Sequence, residues 1–135
     1  MDARSESYLM AAQKLRDVGK YNTATALAYY AAFMYMRYVW AHASAVAKDY
    51  ENQNPLNEEI HKRVFQSVKN YLETNNGNGR GFEILVDELF ALRKKADYEQ
   101  GDVGKTECGV AVDCAEKLIK MMKGLPLKTN YTFKL

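Results

Sequence analysis

Residues 21–36 carry no charged side chain, and their apolar members run most of the way round a helix instead of along one side. Leu27, Tyr30, Ala31, Met34, Tyr38 and Ala41 form one stripe, while Phe33 and Trp40 stand on others. A helix of this kind is packed on most sides, so the remainder of the chain has to surround it. A membrane span is the competing reading. The uncharged stretch is shorter than the roughly 20 residues that cross a bilayer. Arg37 interrupts it, and it is rich in alanine and tyrosine instead of leucine and isoleucine. A buried central helix is therefore expected, entering at Asn22 or Thr23, either of which is a good N-cap, and running to about Lys48.

The rest of the chain reads as four more helices. A first segment from Ser5 to Val18 puts Tyr8, Ala11, Ala12 and Leu15 on one face and stops at Gly19. After the central helix, Asn54 and Pro55 have the order of an N-cap and a first-turn proline. Ile60, Val64, Val68 and Leu72 then mark a third helix. The run Gly77-Asn78-Gly79-Arg80-Gly81 could hold an anion with its backbone amides, but it follows a helix and lacks the lysine and serine ending of a phosphate-binding loop, so it reads as a flexible connection. Phe82, Leu85, Leu89, Leu92 and Ala96 alternate by three and four along a fourth helix. Thr106 is the expected cap of a fifth, with Val110, Cys114, Leu118 and Met121 facing inward and Gly124 and Pro126 ending it. Only the tail at Tyr131 to Leu135 has a strand-like or irregular character. The expectation is one all-α domain over residues 1–135, an antiparallel bundle of about five helices; 135 residues suffice for one core without staples.

Composition narrows the function classes. A net charge of +2 does not suit a protein that coats nucleic acid by charge alone, so any contact with RNA or a nucleotide has to be local. Cys108 and Cys114 lie about 240° apart around a helix axis and cannot bridge there. Two thiols do not make a zinc site without histidines close by in sequence, and only His42 and His61 exist. No metal or cofactor is expected. Two free cysteines and an N-terminus without an apolar signal core point to the reducing cytoplasm.

Chemistry concentrates in two segments. In Leu92-Arg93-Lys94-Lys95-Ala96-Asp97-Tyr98, Arg93 and Asp97 are four apart and share a helix face. Arginine ahead of aspartate is the less favourable order for an isolated helical pair. A guanidinium beside a buried stripe is suited to a bidentate grip on phosphate; a solvated charged turn near a helix end is the plainer alternative. In Tyr29-Tyr30-Ala31-Ala32-Phe33, the alanines let another helix come close while a phenol remains for hydrogen bonding.

Taken in order, these segments resemble the HEPN-domain family. Lys20-Tyr21-Asn22-Thr23-Ala24 with Tyr29-Tyr30-Ala31-Ala32-Phe33 looks like the entry and middle of its second helix. Leu92 to Tyr98 looks like the arginine-to-aspartate-tyrosine signature of one branch. Glu59-Ile60-His61 sits where that branch carries a histidine opening the third helix, and Cys114-Ala115-Glu116-Lys117 resembles its closing helix. The resemblance spans nearly the whole chain. It implies a helical bundle that forms a homodimer through its long helices, handles RNA or nucleotides, and is paired with a nucleotidyltransferase in a toxin–antitoxin or defence system. The RNA-cleaving members resemble metal-independent ribonucleases with an arginine followed a few residues later by a histidine. Here the corresponding positions hold Tyr98, Glu99 and Gln100. An ionised Asp97 is a weak base that repels phosphate, so its expected role is to orient Arg93. His61 is the remaining candidate acid or base, if the third and fourth helices bring it near Arg93; a local capping histidine is the alternative. The candidate catalytic set is Arg93, Asp97 and His61, and the candidate nucleotide- or RNA-binding set Arg93, Tyr98 and Tyr30. Two other functions stay open: a non-catalytic, antitoxin-like interaction module, and an endoribonuclease with a degenerate motif.

Overall fold

A computed structural model of the chain describes residues 3–43, 58–98 and 102–127. Within them lie five helices and no strand: α1 (Ala3–Asp17), α2 (Tyr21–Ala43), α3 (Glu58–Thr74), α4 (Gly79–Tyr98) and α5 (Lys105–Lys123). The expected exit of the central helix as far as Lys48, the Asn54-Pro55 entry and the tail at 131–135 fall outside the described residues. α2 packs against each of the other four helices, which follow one another around it in the order α1, α5, α4, α3. From Ala31 to Arg37 every residue of α2 is buried, as an all-round apolar helix requires. No described helix is long and apolar enough to cross a membrane.

Small residues decide how close α1 comes. Ala12, Ala24, Ala28 and Ala31 are fully buried, and the Ser5 hydroxyl donates to the Ala31 carbonyl at 2.7 Å. Gly19 ends α1 with φ +80°, a left-handed conformation that glycine takes without steric cost. The Gly19 and Lys20 amides then reach back to the carbonyls of Arg16 at 3.1 Å and Leu15 at 2.8 Å, closing the helix end. α2 starts at once. The carbonyl of Lys20 already accepts from Ala24 at 2.9 Å, so neither Asn22 nor Thr23 is the cap expected from sequence. Asn22 works across the fold instead: its side-chain oxygen accepts from the Val103 amide at 2.8 Å and so ties the entry of α5 to that of α2.

The other connections also differ from the sequence expectation. The Asn-Gly run is a tight turn and not a flexible link. Asn76 has φ 66°, the Gly77 amide donates to the Leu72 carbonyl at 2.7 Å, and a Cβ on Gly77 would sit 2.5 Å from Leu72 Cδ2. The Asn78 side chain accepts from the Gly81 amide at 2.8 Å, which caps α4 and makes Gly79 its first residue. On α5, Gly104 takes the cap position in place of Thr106, and the Glu107 carboxylate returns to the Gly104 amide at 3.1 Å. Lys95 on α4 donates to both Glu107 oxygens, at 2.8 and 3.0 Å; this contact first, then the Gly104 amide, holds the Glu107 carboxyl below the usual carboxylate range.

Val110, expected inside, is instead 36% exposed, because α5 turns Cys108, Ala111, Val112, Ala115, Leu118 and Met122 inward. Both cysteines are buried and free. The Cys114 thiol donates to Glu88 at 3.2 Å, and burial, reinforced by that carboxylate, pushes its pKa up to about 12. Burial shields both sulfurs from reagent, and Cys114 in addition is kept from its reactive thiolate form, so neither cysteine of the folded protein should react with a maleimide in neutral buffer, whereas both should in denaturant. Rapid labelling of Cys114 in the native state would contradict this arrangement.

Candidate functional site

The buried side of α4 begins Phe82, Val86, Leu89, at spacings of four and three, and its next member is Arg93. The sequence stripe through Leu85, Leu92 and Ala96 is displaced by one position: those three are only partly buried, and the cation takes the inner place. Arg93 is 4% exposed. An aliphatic side chain would fill the same position without any desolvation cost, so packing alone does not call for a guanidinium here.

Side chains of two helices surround it. On α4, Arg93 Nε donates to Asp97 at 3.0 Å. From α2, the Tyr30 hydroxyl accepts from Arg93 Nη2 at 3.4 Å, a long contact. The guanidinium carbon also lies 4.9 Å from the centre of the Tyr29 ring and 5.6 Å from that of Tyr30, within reach of cation–π attraction to both. The two rings meet edge to face at 78° and form a corner around the charge. Asp97 is the outward end of the pair, with 27% of its side chain exposed against 5% for Arg93.

His61 approaches from α3. It is 2% exposed, its ring stacks on Phe33 with centroids 3.9 Å apart, and its Nδ1 is hydrogen-bonded to the Tyr29 hydroxyl at 2.5 Å. Tyr29 therefore joins the two candidate groups, with its hydroxyl on His61 and its ring against Arg93. The structure brings Arg93, Asp97 and Tyr30 into direct contact and connects His61 to them through Tyr29. Tyr98 closes α4, and its side chain is outside the described residues. His42, read from sequence as structural or interfacial, uses its Nδ1–H to donate to the Tyr38 carbonyl at 2.8 Å, one turn back.

Two members of this cluster, Tyr29 and Arg37, lie outside the candidate sets that the sequence suggests. Tyr29 and Tyr30 look alike in sequence, although only Tyr29 is enclosed. Arg37 reads in sequence as an interruption of the apolar run, yet it is 6% exposed and lies 6.0 Å from the Phe33 ring. A lone arginine in the most apolar helix of a chain was the available signal for it, because a buried cation needs aromatic or acidic company.

Chemically, the cluster presents a fixed positive charge with aromatic walls and one surface-facing carboxylate. Such a corner can recognise an anion or a planar group that reaches its outer edge. No group of His, Cys, Asp and Glu among the described residues is arranged to hold a metal ion. Compared with known families, residues 3–125 match the HEPN domain. No curated protein and no solved structure matched the chain.

Proposed function

The chain belongs to the HEPN family, which is associated with nucleotide and RNA handling, and from that premise we propose that it is the HEPN member of a toxin–antitoxin or defence pair. In this reading it acts in the cytoplasm as a homodimer, with a nucleotidyltransferase as its partner, and binds RNA or a nucleotide at the outer edge of the Arg93 corner. The observation that carries the proposal is the enclosed guanidinium itself. It stands on a stripe position where an apolar residue would serve packing, oriented by Asp97 and two tyrosines. Charged groups enclosed beside a specific charge partner cluster at functional sites. Binding of a labelled oligoribonucleotide and of nucleoside phosphates, with co-purification against a nucleotidyltransferase encoded beside it, is the direct test. Binding that weakens in Arg93→Met supports the proposal; a protein that engages none of these partners sinks it.

One observation favours a second reading, the non-catalytic interaction module. A base for RNA cleavage has to reach a ribose hydroxyl, whereas His61 is 2% exposed and its Nδ1 is engaged by Tyr29. On this view the domain binds and does not cut. Cleavage of labelled RNA that disappears in both Arg93→Met and His61→Gln would restore the endoribonuclease reading.

A further inference from the structure

The tyrosine corner does not stop at α2. Tyr8 of α1 lies against Tyr30 with ring centroids 6.4 Å apart and planes tilted by 41°, and both rings are partly exposed. Tyr8 also lines a shallow, open hollow of about 330 Å³ together with Ala3, Arg4 and Ser7. That is near the lower end of the size of small-molecule sites, about 300–1,000 Å³. Arg4, Ser7 and Tyr8 share a face of α1, being three and four apart. Arg4, Tyr8 and Tyr30 therefore follow one another at the surface, and the enclosed Arg93 lies behind Tyr30: a cation, two aromatic rings and a second, buried cation.

Aromatic faces with a cation at each end suit one ligand chemistry in particular. An unstacked nucleobase offers a flat π-face to a tyrosine, while the phosphates on either side of it seek guanidinium groups. The two components are held on separate helices whose relation is fixed. The Ser5 hydroxyl bonds to the Ala31 carbonyl at 2.7 Å, one residue beyond Tyr30 on α2, which locks this end of α1 against it. Tyr8 is thus a preformed surface and needs little ordering on binding.

Resting on the function proposed above, we propose that Tyr8, with Arg4 beside it and Tyr30 behind it, forms a stacking subsite for a single unpaired nucleobase next to the phosphate site at Arg93. The base is supplied either by a single-stranded RNA or by a free nucleotide, since the two share this chemistry.

The test compares labelled oligouridine, an abasic ribose-phosphate strand of the same length, and a nucleoside monophosphate, each titrated into the full chain. Tyr8→Ala is expected to weaken oligouridine binding at least about five-fold, the lower bound for loss of one base–aromatic stack, and to leave the abasic strand bound as before. Tyr8→Phe keeps the ring and should restore most of the lost affinity. Met10→Ala, on the exposed side of the same helix at 53% exposure, serves as the control and should bind like the parent protein. Competition by the monophosphate at similar concentration per base would identify the source as a free nucleotide; competition only by the strand would identify it as RNA. If the parent protein binds oligouridine and Tyr8→Ala binds it equally well, the subsite is refuted while the Arg93 proposal stands. If Tyr8→Ala weakens both strands equally, the residue supports the fold and not a base, and the subsite is again refuted. A parent protein that binds no ligand of the three overturns both.

Discussion

Phe33→Ala is expected to destabilise the protein by about 3–5 kcal/mol, the usual cost of emptying a large aromatic site in a close-packed core. Phe33 is fully buried and central to the aromatic cluster. It stacks on His61 at 3.9 Å and on Tyr29 at 6.1 Å, meets Phe65 edge to face at 6.2 Å, and lies 6.0 Å from the Arg37 guanidinium. Truncation removes these contacts from two helices at once and leaves a cavity that α2, packed on all sides, has little freedom to collapse into. Urea denaturation followed by tyrosine fluorescence and circular dichroism gives the value. The midpoint should fall with little change in slope, because the surface exposed on unfolding is almost the same. A loss below about 1 kcal/mol would mean that the α2–α3 contact is much looser than the stacking indicates.

The second large effect concerns the Arg93–Asp97 pair, and its sign depends on which partner is removed. Asp97→Ala takes a charged acceptor from a guanidinium that stays enclosed, and should cost about 1.5–3 kcal/mol. Arg93→Met removes the buried charge and leaves behind a carboxylate that is partly exposed and can be hydrated. It should cost less than Asp97→Ala, because an apolar side chain of similar length fits the stripe of Phe82, Val86 and Leu89. The double variant should then be more stable than Asp97→Ala alone, a coupling that a double-mutant cycle measures. The functional consequence runs the other way, since Arg93→Met should be the variant that keeps the fold and loses ligand binding. Should Arg93→Met prove the more damaging to stability, the guanidinium is a structural strut, and the argument from its packing cost fails.

The parts of this protein that follow from local rules were legible without coordinates. The apolar character of residues 21–36, which runs most of the way round, dictates a helix packed on most sides, and the other four helices follow from spacings of three and four and from Gly19 and Gly124 at their ends. The family resemblance was equally local, carried by short motifs in order along the chain, and residues 3–125 match that family. Caps were harder to read. Asn22 and Thr106 have the right chemistry for an N-cap, but Asn22 satisfies the Val103 amide at the entry of α5, and Gly104 and Glu107 close the start of α5 instead. A side chain with several acceptors in reach is assigned by the tertiary arrangement, not by its own preference.

The candidate site divides along the same line. Sequence by itself determined that Arg93 and Asp97 share a face, because four residues make about one helical turn. It did not determine which way that face points: a rotation of α4 by a single position separates the stripe through Leu85 and Leu92 from the one through Val86 and Arg93. That rotation is decided by the packing of α4 against α2, α3 and α5 together, a sum of many weak contacts made by residues far apart in the chain. The same sum brings Tyr29 between His61 and Arg93, residues 32 positions apart in the one case and 64 in the other by their numbering. Local spacing thus supplied the pair, and only the bundle enclosed it in aromatic rings and left Asp97 at the surface.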